Sequence, residues 1–338
     1  MKLFLIGMLF CSLAWGQTSV VFFNPGKSNE SFWHDVDSFA SAVANDLELD
    51  FRTFHAQRKY YSMLSHLEQM IAQQQLPDYL ILVNEKQILP KMLRLLENQN
   101  VYVLVALNDL DPQHQSLLAQ PYWQQHLLSS LIPNNYWAGY QAARSMYLAS
   151  GEQAGEVALI SGDKLTPASV QREAGAKHFI QQQPNLQLRR VVYADWNEQQ
   201  GYQQTRMLLR RYPKLKYLWV ANDEMAFGSI KALKELGKQP GKELFIATFN
   251  TSEQALQLRE QGHISALAGG HFATVGWALA MIKQHSRGEV LPKKVDAPLF
   301  MLLEPNSPHY QLIKNKNWQQ LDFSHWSLDL AQPFGFAQ

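Results

Sequence analysis

Short apolar runs alternate with stretches whose apolar residues recur every three or four positions, from about residue 20 to residue 285. The runs at 20–23, 79–83 and 101–107 are short and nearly uninterrupted, as expected of strands buried on both faces. Segment 49–54 alternates apolar and polar residues and predicts another strand. Between these runs Phe32, Val36, Phe39, Val43 and Leu47 share one helical face, 61–71 is amphipathic, and 92–96 supplies a further helix face. This βαβαβαβ order predicts parallel strands with helices on both sides.

A second series begins after Asn134-Asn135. Helical spacing at 137–148, 168–181, 199–209, 224–236, 252–260 and 274–285 alternates with strand-like runs at 157–160, 188–193, 217–221, 244–249 and 264–268. That is too many elements for one compact open sheet. The fold class predicted is α/β, with two doubly wound parallel-sheet lobes. No Gly/Ser-rich linker separates them, so the chain is expected to cross by short strands that form a hinge, first near 127–133.

The 338 residues suffice for two domains of ordinary size, and 46% apolar content suffices for two cores. A formal charge of +1 argues against a nucleic-acid partner. Lys2, the apolar stretch 3–13 and Ala14-Trp15-Gly16 read as a secretory signal peptide over 1–16, cleaved before Gln17. The single cysteine, Cys11, falls inside it, so the mature chain is expected to hold no disulfide and no thiolate-bound metal. No other segment approaches 18 consecutive apolar residues, and the expected location is a Gram-negative periplasm.

Asparagines follow five of the predicted strands: Asn24, Asn84 (with Glu85), Asn108 (with Asp109), Asn222 and Asn250. Open α/β sheets bind ligands at these carboxyl ends. One amide offers two donors and two acceptor lone pairs, which suits adjacent hydroxyls better than a charge. Asparagine is also common in turns, but five together favour a polar cleft. Apolar sugar faces stack on aromatic rings, for which Phe32, Trp33 and Trp196 are candidates, Phe32 with a share in the core. Asp223, ahead of the helix at 224–236, is placed as its N-cap. Catalytic patterns are weak. There is no Gly-x-Ser-x-Gly, no phosphate loop and no His-Glu-x-x-His. His34, Asp35 and Asp37 read as surface residues rather than metal ligands, and Asp109 and Asp111 as turn formers rather than paired catalytic carboxylates. No catalytic residue, metal or cofactor is expected.

The stretch Tyr217-Leu218-Trp219-Val220-Ala221-Asn222-Asp223-Glu224-Met225-Ala226-Phe227-Gly228 closely resembles the second-lobe motif of type 1 periplasmic sugar-binding proteins, the ribose-binding group. The resemblance extends over residues 18–305. It implies the periplasmic binding protein type 1 fold, two lobes joined by a multi-strand hinge. Lobe 1 would comprise 17–132 plus 268–297, and lobe 2 133–267 plus 298–305, with 264–285 packed on lobe 1. A C-terminal extension, 306–338, carries Trp318 and Trp326 and is expected to dock. The family places paired aromatics where Phe32 and Trp33 stand, another where Trp196 stands, and a ligand-binding arginine at Arg172. Asn135 and His271 complete the candidate ligand set with Asn24, Asn84, Glu85, Asn222 and Asn250.

The chain departs from the family pattern at several points. Asn250 replaces an acid, Gly269-Gly270-His271 replaces an amide, Asn134 stands where an acid is usual, and the loop 24–30 is longer than in ribose binders. These changes point away from ribose or galactose and toward a larger or modified ligand. The resemblance implies a monomeric solute-binding protein that captures a neutral polyhydroxylated, sugar-like ligand by hinge closure. Its membrane partner is expected to be an ABC permease, the alternative being a sensor kinase or chemoreceptor. The competing reading from another class is a secreted α/β glycosidase.

Overall fold

A computed structural model describes residues 17–295 and 298–324. The expected signal segment and Trp326 lie outside the described residues. Two sheets of six strands each organise the chain. The first holds β1 (Ser19–Asn24), β2 (Asp50–His55), β3 (Tyr79–Leu82), β4 (Tyr102–Ala106) and β5 (Leu127–Leu131). The second holds β6 (Gly155–Ser161), β7 (Leu186–Tyr193), β8 (Leu215–Val220), β9 (Phe245–Phe249) and β10 (Ala266–Gly269). The two-residue strands β11 (Lys294–Val295) and β12 (Met301–Leu302) complete them. The orders, β11-β5-β4-β3-β1-β2 and β12-β10-β9-β8-β6-β7, repeat one doubly wound plan. Among the described strands only β10 and β12 pair antiparallel.

Among the described residues eleven α-helices accompany them: α1 (Ser31–Asp46), α2 (Tyr61–Ala72), α3 (Leu89–Leu96), α4 (Pro121–His126), α5 (Asn135–Ala149), α6 (Pro167–Gln181), α7 (Glu198–Arg211), α8 (Asp223–Glu235), α9 (Glu253–Glu260), α10 (Thr274–Ser286) and, after the last strand, α11 (Pro308–Asn315). Helix α1 buries Trp33, Val36, Phe39, Ala40 and Val43, the face its periodicity marks. Central strands bury both faces, as in β8, where Tyr217, Leu218, Trp219 and Val220 have no exposed surface. Helices α5 and α6 touch backbone to backbone. A Cβ on Gly139 would lie 2.0 Å from the carbonyl oxygen of Arg172, and one on Gly175 2.0 Å from that of Tyr136. This contact fixes where α6 presents Arg172.

The structure corrects three expectations. Segment 264–285 does not pack as a unit on the first lobe. Its strand β10 pairs in parallel with β9 in the second sheet, and only the part after Gly270, the short turn His271–Ala273 and α10, lies against first-lobe elements. The chain leaves the second sheet at Gly270, whose φ of 95° makes the turn. The N-cap of α8 is Asn222, not Asp223: extended at φ −153°, ψ 168°, it accepts the Met225 amide on its side-chain oxygen. Asp35 is buried rather than on the surface, accepting from Thr251 Oγ1 at 3.2 Å and from Lys316.

The described part of the C-terminal extension runs from one lobe to the other. Helix α11 sits on α9, with Tyr310 donating its hydroxyl to the Leu256 carbonyl at 2.7 Å and Lys314 paired with Glu260 at 2.6 Å. Beyond it, Lys316 reaches Asp35 on α1. Trp318 packs edge-on against Phe39 at 5.2 Å, and Phe323 does so at 5.6 Å.

Candidate functional site

The carboxyl ends of the two sheets face each other across a cleft lined by residues of both lobes. Hydrogen bonds cross between the lobes at its rim. Asn108 Oδ1 accepts the Ala168 amide in the first turn of α6 at 3.0 Å. Ser31 donates to Glu224 at 3.1 Å, and Lys86 to Asp195 at 3.3 Å. Three residues lining the cleft at strand ends have left-handed backbones: Leu107 (φ 67°), Trp196 (φ 60°) and Asn250 (φ 82°). Such conformations persist where surrounding contacts hold them, and they concentrate at functional sites.

Aromatic rings enter from both lobes. Phe32 and Trp33 meet edge to face at 5.0 Å, and Phe32 stacks on His271 at 4.5 Å. From the second lobe Trp196 donates its indole N–H to Asp163 at 2.9 Å. Burial alone would raise the Asp163 carboxyl. The hydrogen bonds it accepts from Thr166, Leu165 and Trp196 outweigh that and hold it below the usual carboxylate range. The charged acceptor thus anchors the Trp196 ring. Gly26 and Gly162 lie close beneath the two indoles. A Cβ at Gly26 would lie 2.0 Å from Trp33, and one at Gly162 2.2 Å from Trp196.

Arg172 is buried at the second-lobe end. It donates from Nε to Asn135 Oδ1 at 2.8 Å, from Nη1 to the Ala221 carbonyl at 3.0 Å, and from Nη2 to His271 Nε2 at 3.0 Å. Its guanidinium lies over Phe249 and Phe300. Burial pulls its pKa down to about 9, against the opposing charge of Asp223. Burial, then the charge of Arg172, push His271 well below the ordinary histidine value, so its ring is neutral. At the first-lobe end Arg58 pairs with Glu30 and with Glu85, the latter at 3.2 Å. Burial raises the Glu85 carboxyl and Arg58 opposes the rise.

Of the residues expected at the site, Phe32, Trp33, Glu85, Asn135, Arg172, Trp196, Asn222, Asn250 and His271 are brought together around this cleft. Asn24 and Asn84 are not. Asn24 donates to the Asp37 carboxylate at 3.1 Å and accepts the Gly26 amide, bracing the loop before α1. Asn84 donates to the Asp109 carbonyl at 2.7 Å and accepts the Leu89 amide. Both amides are spent inside the first lobe. Glu30, Arg58 and Thr166 also line the cleft and were not among the expected site residues, and so does Asn108, one of the five strand-end asparagines but not in the candidate ligand set. Asn108 obeys the same strand-end rule as the others. Arg58 and Glu30 carry no local signal, because long-range pairing places them. Among the described residues no group of three His, Cys, Asp or Glu could hold a metal ion, and no helix is long and apolar enough to cross a membrane.

The profile of the family described as periplasmic binding protein domain matches residues 20–289. A periplasmic sugar-binding protein from Pseudomonas fluorescens has a similar structure, with TM-score 0.81 and 32% identity over 91% of this chain and 93% of that one. The D-allose-binding periplasmic protein of Escherichia coli is 28% identical over 51% of this chain and 55% of its own length. The D-apiose import binding protein of Actinobacillus succinogenes is 27% identical over 43% of each chain. This chain thus spans about half the length of the curated relatives it matches. Two repeated parallel sheets, a cleft between their carboxyl ends and a family match over most of the sequence agree: the chain belongs to the periplasmic binding protein family, in its type 1 sugar-binding branch.

Proposed function

We propose that the protein is a periplasmic solute-binding protein that captures a polyhydroxylated, sugar-like ligand between its lobes and hands it to an ABC importer. The observation carrying this reading is the cleft itself. Its two walls come from different sheets, and each supplies aromatic rings and hydrogen-bonding side chains. A ligand touching both walls makes its full set of contacts only when the lobes are together, which is the differential binding that drives closure. The P. fluorescens structure is of a sugar-binding protein, and the A. succinogenes relative serves D-apiose import, which supports a sugar-like ligand and an importing partner. The expected periplasmic location accords with the family.

The test is a thermal-shift and calorimetric screen of the secreted protein against monosaccharides, disaccharides, polyols and sugar acids, with mass spectrometry of the recovered ligand. Saturable stabilisation with the ligand returned unaltered supports binding. A ligand returned hydrolysed would instead support a glycosidase. Loss of uptake of the identified ligand on deleting the gene tests the importer partner.

A further inference from the structure

We infer that the ligand of this cleft is a sugar acid, an aldonate or uronate, whose carboxylate sits against Arg172 while its hydroxyls point to the Glu30–Arg58–Glu85 end. The inference rests on the sugar-like reading above and departs from the neutral ligand expected from sequence.

Arg172 is 5% exposed and lines the cleft. All three of its hydrogen-bond partners are neutral: an amide oxygen, a backbone carbonyl and an imidazole nitrogen. A guanidinium has five N–H donors and cannot be deprotonated in ordinary conditions. A buried charge is costly unless an opposite charge meets it. No carboxylate among the described residues forms an ion pair with Arg172. Asp223, whose charge reaches it, spends its oxygens elsewhere: Oδ1 takes Asn250 Nδ2 at 2.7 Å and the Glu224 amide at 3.0 Å, and Oδ2 takes Ser252.

His271 adds a second unmatched donor. Because a guanidinium only donates, Nε2 of His271 is the acceptor in their contact. The neutral ring therefore carries its proton on Nδ1. That atom is buried and has no partner. The ring is clamped between Phe32 at 4.5 Å and Phe300 at 4.2 Å, so it cannot swing away to find one. Arg172 keeps two N–H groups and its positive charge unmatched, which an acceptor-only carboxylate would satisfy, while the unused imidazole N–H faces away from Arg172 as a separate donor.

The opposite end has the reverse character. Two carboxylates, Glu30 and Glu85, share the single Arg58. Their excess of acceptor oxygens suits hydroxyl donors and repels an anion. The cleft is thus electrically polarised along its length, and it orients a ligand that is acidic at one end and hydroxylated at the other.

The experiment is isothermal titration of wild-type protein with matched sets: glucose, gluconate and glucuronate; galactose, galactonate and galacturonate; ribose and ribonate. Each acid is also titrated as its methyl ester, which removes the charge without altering the protein. The expected result is that at least one acid binds about tenfold or more tighter than both its neutral sugar and its ester. Arg172→Gln should abolish that preference. Should Arg172→Gln fail to fold, the ester comparison decides alone. A neutral sugar binding as tightly as its acid, or tighter, overturns the sugar acid and leaves the sugar-like reading standing. Binding of no member of any set overturns both.

Discussion

Asn250 donates from Nδ2 to Oδ1 of Asp223 across 2.7 Å, so an amide lining the cleft is held by a carboxylate buried behind it. Burial pushes that carboxyl from 3.8 up to about 6, against the hydrogen bonds from Ser252 and Asn250. A raised carboxyl favours folding fully below its unfolded value, and this contribution is lost as pH climbs through the folded one. Stability of the wild type relative to Asp223→Asn should therefore fall between about pH 4 and pH 6, by up to about 3 kcal/mol. Urea unfolding of both proteins across that range measures the difference, and parallel curves would refute the assignment.

Asn222→Ala should weaken two properties at once. Its Oδ1 caps α8 through the Met225 amide at 3.0 Å, and loss of such a cap costs about 1 kcal/mol. Because Asn222 also lines the cleft, affinity should drop about tenfold as well, equivalent to one lost hydrogen bond. Denaturant midpoints and calorimetry on the same preparation separate the two effects. Unchanged stability would contradict the cap.

The two tryptophans should respond differently. Trp33 is 5% exposed and belongs to the main hydrophobic core, so Trp33→Ala should cost about 3–5 kcal/mol of stability. Trp196 is only partly buried and is anchored by Asp163. Trp196→Ala should cost less stability and show its main effect in ligand affinity. Equal thermal destabilisation by the two substitutions would rule out this division of labour.

Lys316→Met should destabilise by about 1–3 kcal/mol, because it leaves the buried Asp35 carboxylate facing Thr251 alone. The side chain of Lys316 is 30% exposed, which keeps the cost below that of a wholly buried pair. Adding Asp35→Asn should restore part of the loss. A double mutant no more stable than the single would show that the pair is not coupled.

Much of this fold is legible in the sequence because its strands are buried on both faces. The runs at 20–23 and 217–221 announce themselves without any alternation to interpret. Strand β5 hides because Ser129 and Ser130 interrupt its apolar character although both are buried. Strands β11 and β12 are too short to make a pattern. At the site, the strand-end rule finds Asn222 and Asn250 but cannot tell them from Asn24 and Asn84. Their side chains turn inward to Asp37 and to the Asp109 carbonyl, partners set by tertiary packing. The Glu30–Arg58–Glu85 group is invisible for the same reason, since Arg58 reaches back 28 residues to Glu30 and forward 27 to Glu85.

On the closure proposed above, the segment that runs from α9 across to α1 would give the gape of the cleft a determinant outside the hinge. Tyr310 belongs to one lobe and Trp318 to the other, and only the few residues after α11 join their anchorages. Any parting of the lobes must stretch that spacer or strip one anchor from its seat. On that reading the fraction of molecules standing ajar would depend on the tail, and observed affinity scales with the competent fraction. Lengthening the spacer with a few glycines would retune how readily the cleft admits its ligand without altering any residue that touches it.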